Sequence, residues 1–340
     1  MPDRPVSRRD ALRITAFAGL STAFAGGLGM GVLRHLGLRR VRETRTHMGT
    51  LVTLTVVCPD AAEARDWIAR AFGEMARLEG VLSRHRPDTA VGRLNASGRL
   101  VGAPPELTEV LGRAAEASRL SRGAFDVTVA PLLDLYERSF ADGAMPPSAA
   151  RVAEALELVD YRAVRIDSDV ITFDTDGMSI TLDGIAKGFI VDRTIDVLVT
   201  NGAERVMVDA GGDMATAGPG SSHDPWTVGI QDPHADGVIG LVRLGGECIA
   251  TSGDYMATFT EDRRFHHILD PGTGRSPEET SAVSVIASSA MEADALSTAL
   301  LVLGPRDGIS LLEELPGAEG VMVTKDGRRV RSSGLARHAV

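Results

Sequence analysis

Short segments of alternating apolar and polar residues come in clusters along this chain, and stretches with helical periodicity fall between the clusters. That pattern confines the fold to α+β, in which sheets and helices are segregated. "GTLVTLTVVC" reads as a strand, and "AAEARDWIARAFGEMARLEGVLS" as a helix with acidic residues early. "ELTEVLGRAAEASRLS" and "PSAARVAEALELVD" repeat the helical pattern, the second entered through Pro146-Pro147-Ser148. "AVRIDSDVITFDTDGMSITLD" alternates across two turn signals and predicts a meander of strands. The second half offers "ERVMVDAGGDMATAG", "WTVGIQD", "GLVRLGGECIATSG", "RFHHILD" and "SAVSVIAS" as short strands, "SAMEADALSTALLVLG" as a helix and "GAEGVMVTKDGRRVRSS" as a closing hairpin. With 340 residues, 44% of them hydrophobic, there is ample material for a core, and no low-complexity linker divides it.

The first 45 residues stand apart. They hold nine of the 36 basic residues and three of the 46 acidic ones, which leaves the body with 27 basic against 43 acidic. A body of that balance is not a nucleic-acid binder by charge, because phosphate contacts need clustered basic surface. Paired Arg8 and Arg9 precede an uncharged run over residues 14–33 that is long enough to span a bilayer but rich in Gly, Ala, Ser and Thr, as in export signals. "SRRDAL" resembles a twin-arginine signal, so the expectation is export to the periplasm with the segment either cleaved, at Ala23-Phe24-Ala25, or retained as an inner-membrane anchor. Residues 1–45 are assigned to this segment and 46–340 to the folded domain. Cys58 and Cys248 read as isolated buried thiols, with a disulfide as the alternative.

In "TLDGIAKGFIVD" a lysine sits where a strand is expected to give way to a helix. The first helical turn carries exposed N–H groups and about half a positive charge, so Lys187 there needs an anion beside it or must reach out to solvent. The choice of lysine is itself unusual, since the chain has 34 arginines and only one other lysine, Lys325. Asp294 and Thr298, four apart in "MEADALSTALLVLG", share one helix face, and such oxygen donors suit Mg²⁺. The plain alternative is a surface acid and a threonine bonded back to its own helix; the apolar neighbours Ala293, Ala295, Leu296, Ala299 and Leu300 weigh against it.

In "VDAGGDMATAG" Gly211-Gly212 reads as a tight turn with Asp213 beyond it, not as a dinucleotide fingerprint. Asp126 in "GAFDVTVAPLL" either reads a ligand or caps a turn. Adjacent His266 and His267 on a strand would point to opposite faces, which argues against a shared zinc and leaves at most one of them free to act as a general base.

The ordered series "MGT", "LSRHRPDTAVGRLN", "GAFDVTVAPLL", "LDGIAKGFIVD", "VDAGGDMATAG", "IATSGDY", "HHILDPGTG" and "SAMEADALSTALLVLG" resembles the ApbE family, the FAD:protein FMN transferases, over residues 48–304. The resemblance implies a T-fold-related α+β body of mixed sheets and packed helices, with FAD bound between its two halves and Mg²⁺ bridging protein and diphosphate. By matching position the metal falls to the carbonyl of Ala186 and the side chains of Asp294 and Thr298. Met48, His85, Ala124, Phe125, Asp126, Asp183, Lys187, Ser252 and Ile268 fall to FAD, which would make the substrate the anion beside Lys187. His267 is implied as the group that takes the acceptor's proton. Two positions depart from the family pattern: His85 stands where tyrosine is common, and Gly272 where a basic residue is often found.

The implied reaction is Mg²⁺-dependent transfer of FMN from FAD to a Ser/Thr hydroxyl of an acceptor protein, with release of AMP. The acceptor expected by analogy is a membrane-associated or exported redox protein carrying a Ser/Thr flavinylation motif. A Mg²⁺-dependent FAD pyrophosphatase and a non-catalytic exported flavin carrier are the alternatives.

Overall fold

The protein is described here by a computed structural model covering residues 37–143, 145–218 and 225–340. The twin-arginine motif, the uncharged run and the A-x-A site all lie outside the described residues. In chain order the elements are β1 (Arg39–His47), β2 (Thr50–Cys58), α1 (Ala61–Leu82), α2 (Ala90–Ser97), β3 (Arg99–Val101), α3 (Pro105–Leu120), α4 (Ala130–Gly143), α5 (Ala149–Leu156), β4 (Val164–Asp167) and β5 (Val170–Phe173). Then follow α6 (Ala186–Thr200), β6 (Arg205–Ala210), β7 (Asp213–Ala217), β8 (Trp226–Gln231), β9 (Val238–Leu244), β10 (Cys248–Gly253), β11 (Thr280–Ala287), α7 (Ala290–Glu314), β12 (Glu319–Thr324) and β13 (Arg329–Arg331).

Eight strands form one sheet in the order β1-β2-β6-β7-β10-β11-β12-β13, and every ladder in it is antiparallel. Its central strands read as nearly continuous apolar runs because both faces are covered. Met214, Ile249, Ile286, Val321 and Val323 pack on one face against Val228, Ile230 and Leu244 of the β8–β9 hairpin. Their sequence neighbours Ala250, Val283, Val285 and Met322 point the other way and meet Leu296 and Leu300 of α7. On that helical side α6 packs between α1 and α7. The remaining strands make a separate three-stranded sheet, β3-β5-β4. Cys58 and Cys248 are buried and free, so no disulfide links them.

Four sequence expectations need correction. The folded body begins by Arg39, inside the 1–45 segment, because β1 completes the sheet edge on β2. The meander stops after β4 and β5: in place of a third strand, the Asn95 side chain takes both backbone groups of Ile180, accepting from its N–H and donating to its C=O, each at 2.8 Å. "RFHHILD" is not a strand but an irregular segment with one isolated bridge, Thr258 to His266, since Arg263 turns the chain at φ 56°. Finally, the predicted helix over "SAMEADALSTALLVLG" continues to Glu314 but is broken at Gly304 (φ 78°, ψ 175°), an extended-ψ residue of the kind that precedes proline, here Pro305.

Candidate active site

The starts of α6 and α7 come together, and glycine permits it: a Cβ on Gly188 would lie 2.3 Å from the carbonyl oxygen of Ala290. At this approach the Gly188 N–H, left over at the helix start, donates to Asp294 Oδ2 at 3.0 Å. One turn further on, Thr298 Oγ1 lies 3.0 Å from Ser252 Oγ of β10, which is itself 2.8 Å from Ser297 Oγ. Gly184 closes against the same threonine and against Phe125, since a Cβ there would sit 3.0 Å from Thr298 Oγ1 and 3.3 Å from the Phe125 ring. Ala186, Phe125, Ser252 and Ile268 are all buried around this point.

Lys187 has an anion within the protein. Its Nζ stands 3.2 Å from Asp213 Oδ2, and Asp213 is 1% exposed. The Gly211-Gly212 turn therefore does more than reverse the chain, because it delivers the carboxylate that follows it. This corrects the expectation that the substrate alone supplies the counter-charge to Lys187, and the helix is entered from a turn, not from a strand. Burial pushes the Asp213 carboxyl up, and Lys187 pulls it back. Asp294, 4% exposed, is raised further above the carboxylate range, by burial first and by the charge of Asp213 second. Burial works against the charge on Lys187, but Asp213, then Asp294, hold the amine above its ordinary value.

The cluster thus sets two buried carboxylates against one ammonium, which leaves room for one more positive charge. Among the described residues no three His, Cys, Asp or Glu side chains are grouped to hold a metal. A cation at this point would rely on one carboxylate, hydroxyls and backbone carbonyls. That hard-oxygen set fits Mg²⁺, which takes few protein carboxylates when phosphates complete its shell.

His266 and His267 differ in setting but do not face opposite ways as expected of a strand: their rings lie 6.5 Å apart, edge to face, on a segment that is not a strand. His266 is fully buried, its backbone N–H donates to Ser276 Oγ at 3.0 Å, and burial pushes its imidazole down to about 3. His267 Nδ1 lies 3.1 Å from the Ala257 carbonyl oxygen. A carbonyl can only accept, so Nδ1 carries the hydrogen and Nε2 is the lone-pair nitrogen. Burial holds this imidazole below its ordinary value; Asp183 and Lys187 act on it with opposite sign, which places His267 in the field of the same cluster.

The other expected residues divide. Met48 occupies the β1–β2 turn at φ 51° with Gly49 at φ 70°, the geometry of a two-residue hairpin, and Glu79 accepts its N–H. That turn adjoins the one before Asp213: a Cβ on Gly211 would lie 2.4 Å from Thr50 Oγ1. Asp183 is half exposed at the rim and bonded to Arg84. Asp126 is spent on the fold, accepting from Thr128 N–H (2.8 Å), Thr128 Oγ1 (2.6 Å) and Tyr161 N–H (2.9 Å), so of the two readings the cap is the one realised. Ala124 is half buried in the turn before it, and His85 is exposed on the loop after α1, its ring taking part in none of these contacts. Sequence reasoning missed Asp213, Ser297 and Arg84 as parts of the site. Only Asp213 left a signal, an acid directly after a double-glycine turn.

The profile of the ApbE family matches residues 48–322. A "FAD:protein FMN transferase" of Treponema pallidum (strain Nichols) is 33% identical over an alignment of 325 positions that covers 87% of this chain and 88% of that protein. One of Klebsiella pneumoniae (strain 342) is 31% identical over an alignment of 294 positions that covers 84% of this chain and 90% of that protein. Among solved structures, the ApbE protein from Thermotoga maritima superimposes with a TM-score of 0.82 at 30% identity, covering 89% of this chain and 100% of that one. The flavin transferase ApbE from Vibrio cholerae gives 0.79 at 27% identity, covering 88% and 99%.

Proposed function

This chain belongs to the ApbE family and is a FAD:protein FMN transferase, and from that premise we propose that it works with Mg²⁺ on a Ser or Thr hydroxyl of an exported or membrane-associated redox protein. The metal would be held by Asp294, Thr298 and the carbonyl of Ala186. Bound there, it would supply positive charge to neutralise the negative charge that develops on the diphosphate.

The chain's own residues supply the rest. Lys187, in the first turn of α6 and already partnered by Asp213, supplies an ammonium near a helix start, where phosphate oxygens are favoured. His267, with Nδ1–H fixed on Ala257, offers Nε2 to the acceptor hydroxyl. As the hydroxyl oxygen bonds to the FMN-side phosphorus, its proton passes to Nε2. The bond from that phosphorus to the AMP oxygen breaks, AMP leaves, and FMN remains on the acceptor as a phosphoester. Export by the twin-arginine-like signal, to the periplasm or to the outer face of the inner membrane, belongs to the same reading.

The observation that carries it is the buried Asp294 carboxylate, next to the Thr298 and Ser252 hydroxyls in a cluster one positive charge short. The test is to incubate the protein with FAD and an acceptor bearing a Ser/Thr motif, with Mg²⁺ or with EDTA, and to weigh the acceptor. A gain of one FMN with release of AMP in Mg²⁺ alone supports the proposal. Free FMN and AMP with an unmodified acceptor would indicate hydrolysis instead, and transfer undiminished by EDTA would remove the metal from the mechanism.

A further inference from the structure

Resting on the reading above, we propose that Arg84 is a positioning residue of the FAD site: it holds Asp183 at the rim and offsets the negative charge there, so that an anionic dinucleotide can enter. Arg84 lies on the loop after α1, one residue before His85, and its side chain is only 9% exposed although its partners are 42–49% exposed. Each arm of the guanidinium goes to a different carboxylate. Nε donates to Asp183 Oδ2 at 3.1 Å, Nη1 to Asp134 Oδ1 at 2.9 Å and Nη2 to Glu137 Oε1 at 2.9 Å. Such a three-way fork is available to arginine and not to lysine, whose ammonium is a single point charge.

The three acids come from two separate places. Asp183 sits on the irregular segment before α6, which lacks strand pairing; Asn95 holds its backbone at Ile180, the Val127 carbonyl accepts from Thr181 N–H, and Arg84 takes the Asp183 side chain. Asp134 and Glu137 are on α4, and the same helix holds the segment carrying His267. Tyr136 and Phe140 meet Phe259 at ring distances of 6.1 and 5.3 Å, and Phe265 at 6.2 and 5.5 Å. Arg84 therefore fastens the segment bearing Asp183 to the helix that anchors the histidine. Without it, three carboxylates would face one another at the entrance used by a diphosphate, and the Asp183 carboxylate would lose the ion pair that orients it.

The experiment compares Arg84→Ala and Arg84→Lys with wild type in the full chain, reading FAD Kd by fluorescence quenching, KM for FAD, kcat of FMN transfer and Tm. Arg84→Ala should raise Kd and KM by on the order of tenfold, the scale of one lost charge interaction near a surface, and added salt should shrink the difference. Arg84→Lys should fall between the two, and kcat at saturating FAD should stay within about threefold. A purely structural role would lower Tm and leave Kd unchanged, and that result, or a loss confined to kcat, would overturn the proposal.

Should Arg84→Ala fail to fold, the double variant Asp134→Asn/Glu137→Gln supplies the test, because it removes negative charge while leaving Arg84 on Asp183. FAD binding as tight as wild type or tighter supports the proposal, and a tenfold weakening overturns it. A wild-type protein that binds FAD yet transfers no FMN would overturn the transferase reading instead, with the effect of Arg84 still legible in Kd.

Discussion

Lys187 Nζ and Asp213 Oδ2 lie 3.2 Å apart, joining the first turn of α6 to the first residue of β7. A lysine at a helix start meets the positive end of the dipole, so the carboxylate offsets both that and part of the cost of burial. A buried pair is costly to break on one side and much less costly to remove as a unit.

Asp213→Leu and Lys187→Met should therefore each destabilise the protein by roughly 3 kcal/mol, while the double variant loses clearly less than the sum. Urea unfolding in EDTA measures this. Additive losses would mean that the two side chains act independently.

Asp294→Asn should separate stability from activity. The carboxyl is held well above its ordinary range by burial and by Asp213, so neutralising it should leave the metal-free protein at least as stable as wild type, while Mg²⁺-dependent transfer is lost. Thr298→Ala should do less and be partly rescued by raised Mg²⁺, since a hydroxyl contributes less than a carboxylate to holding a hard cation. Melting curves and acceptor mass at several Mg²⁺ concentrations check both, and full activity of the Asp294 variant at low Mg²⁺ would overturn the assignment.

His267→Ala should keep FAD binding close to wild type and lose transfer by ~10²–10⁴-fold, the range for a positioned acid/base group. His266→Ala should instead lower stability, because it empties a fully buried position. Only neutral imidazole accepts a proton, and burial lowers the pKa of His267, so the rate should hold through the ordinary histidine range and fall only below about pH 6.5. An acid limb centred above that value would contradict the assignment.

Asp192 accepts from the N–H groups of Ala290 (2.7 Å) and Met291 (2.9 Å) at the start of α7, and burial raises its carboxyl to about 6. The folded protein thus binds this proton more tightly than the unfolded chain does. The resulting stability is complete below the ordinary Asp value and is lost as pH rises through about 6. Comparing urea midpoints at about pH 5 and about pH 7.5, Asp192→Asn should reduce the difference seen in wild type; an unchanged difference would assign the dependence elsewhere.

What the chain determines locally was readable in order along it. The alternating strands, the helices and their caps depend on residues within a turn or two, and the one-turn spacing that puts Asp294 and Thr298 on one face of α7 is a property of the helix itself. The ordered motifs also carried the family, and with it the chemistry expected at His267. Only the tertiary structure decided how those pieces share charge. Gly188 meets Asp294 across 106 residues of chain, Arg84 meets Asp183 across 99, and Asp213 reaches Lys187 from behind a glycine turn that looked merely like punctuation. "RFHHILD" and "SITLD" failed as strands for the same reason: a period of two shows where side chains alternate, but a strand also needs a neighbour for its N–H and C=O groups. In this fold Ser276 and Asn95 side chains took some of those places.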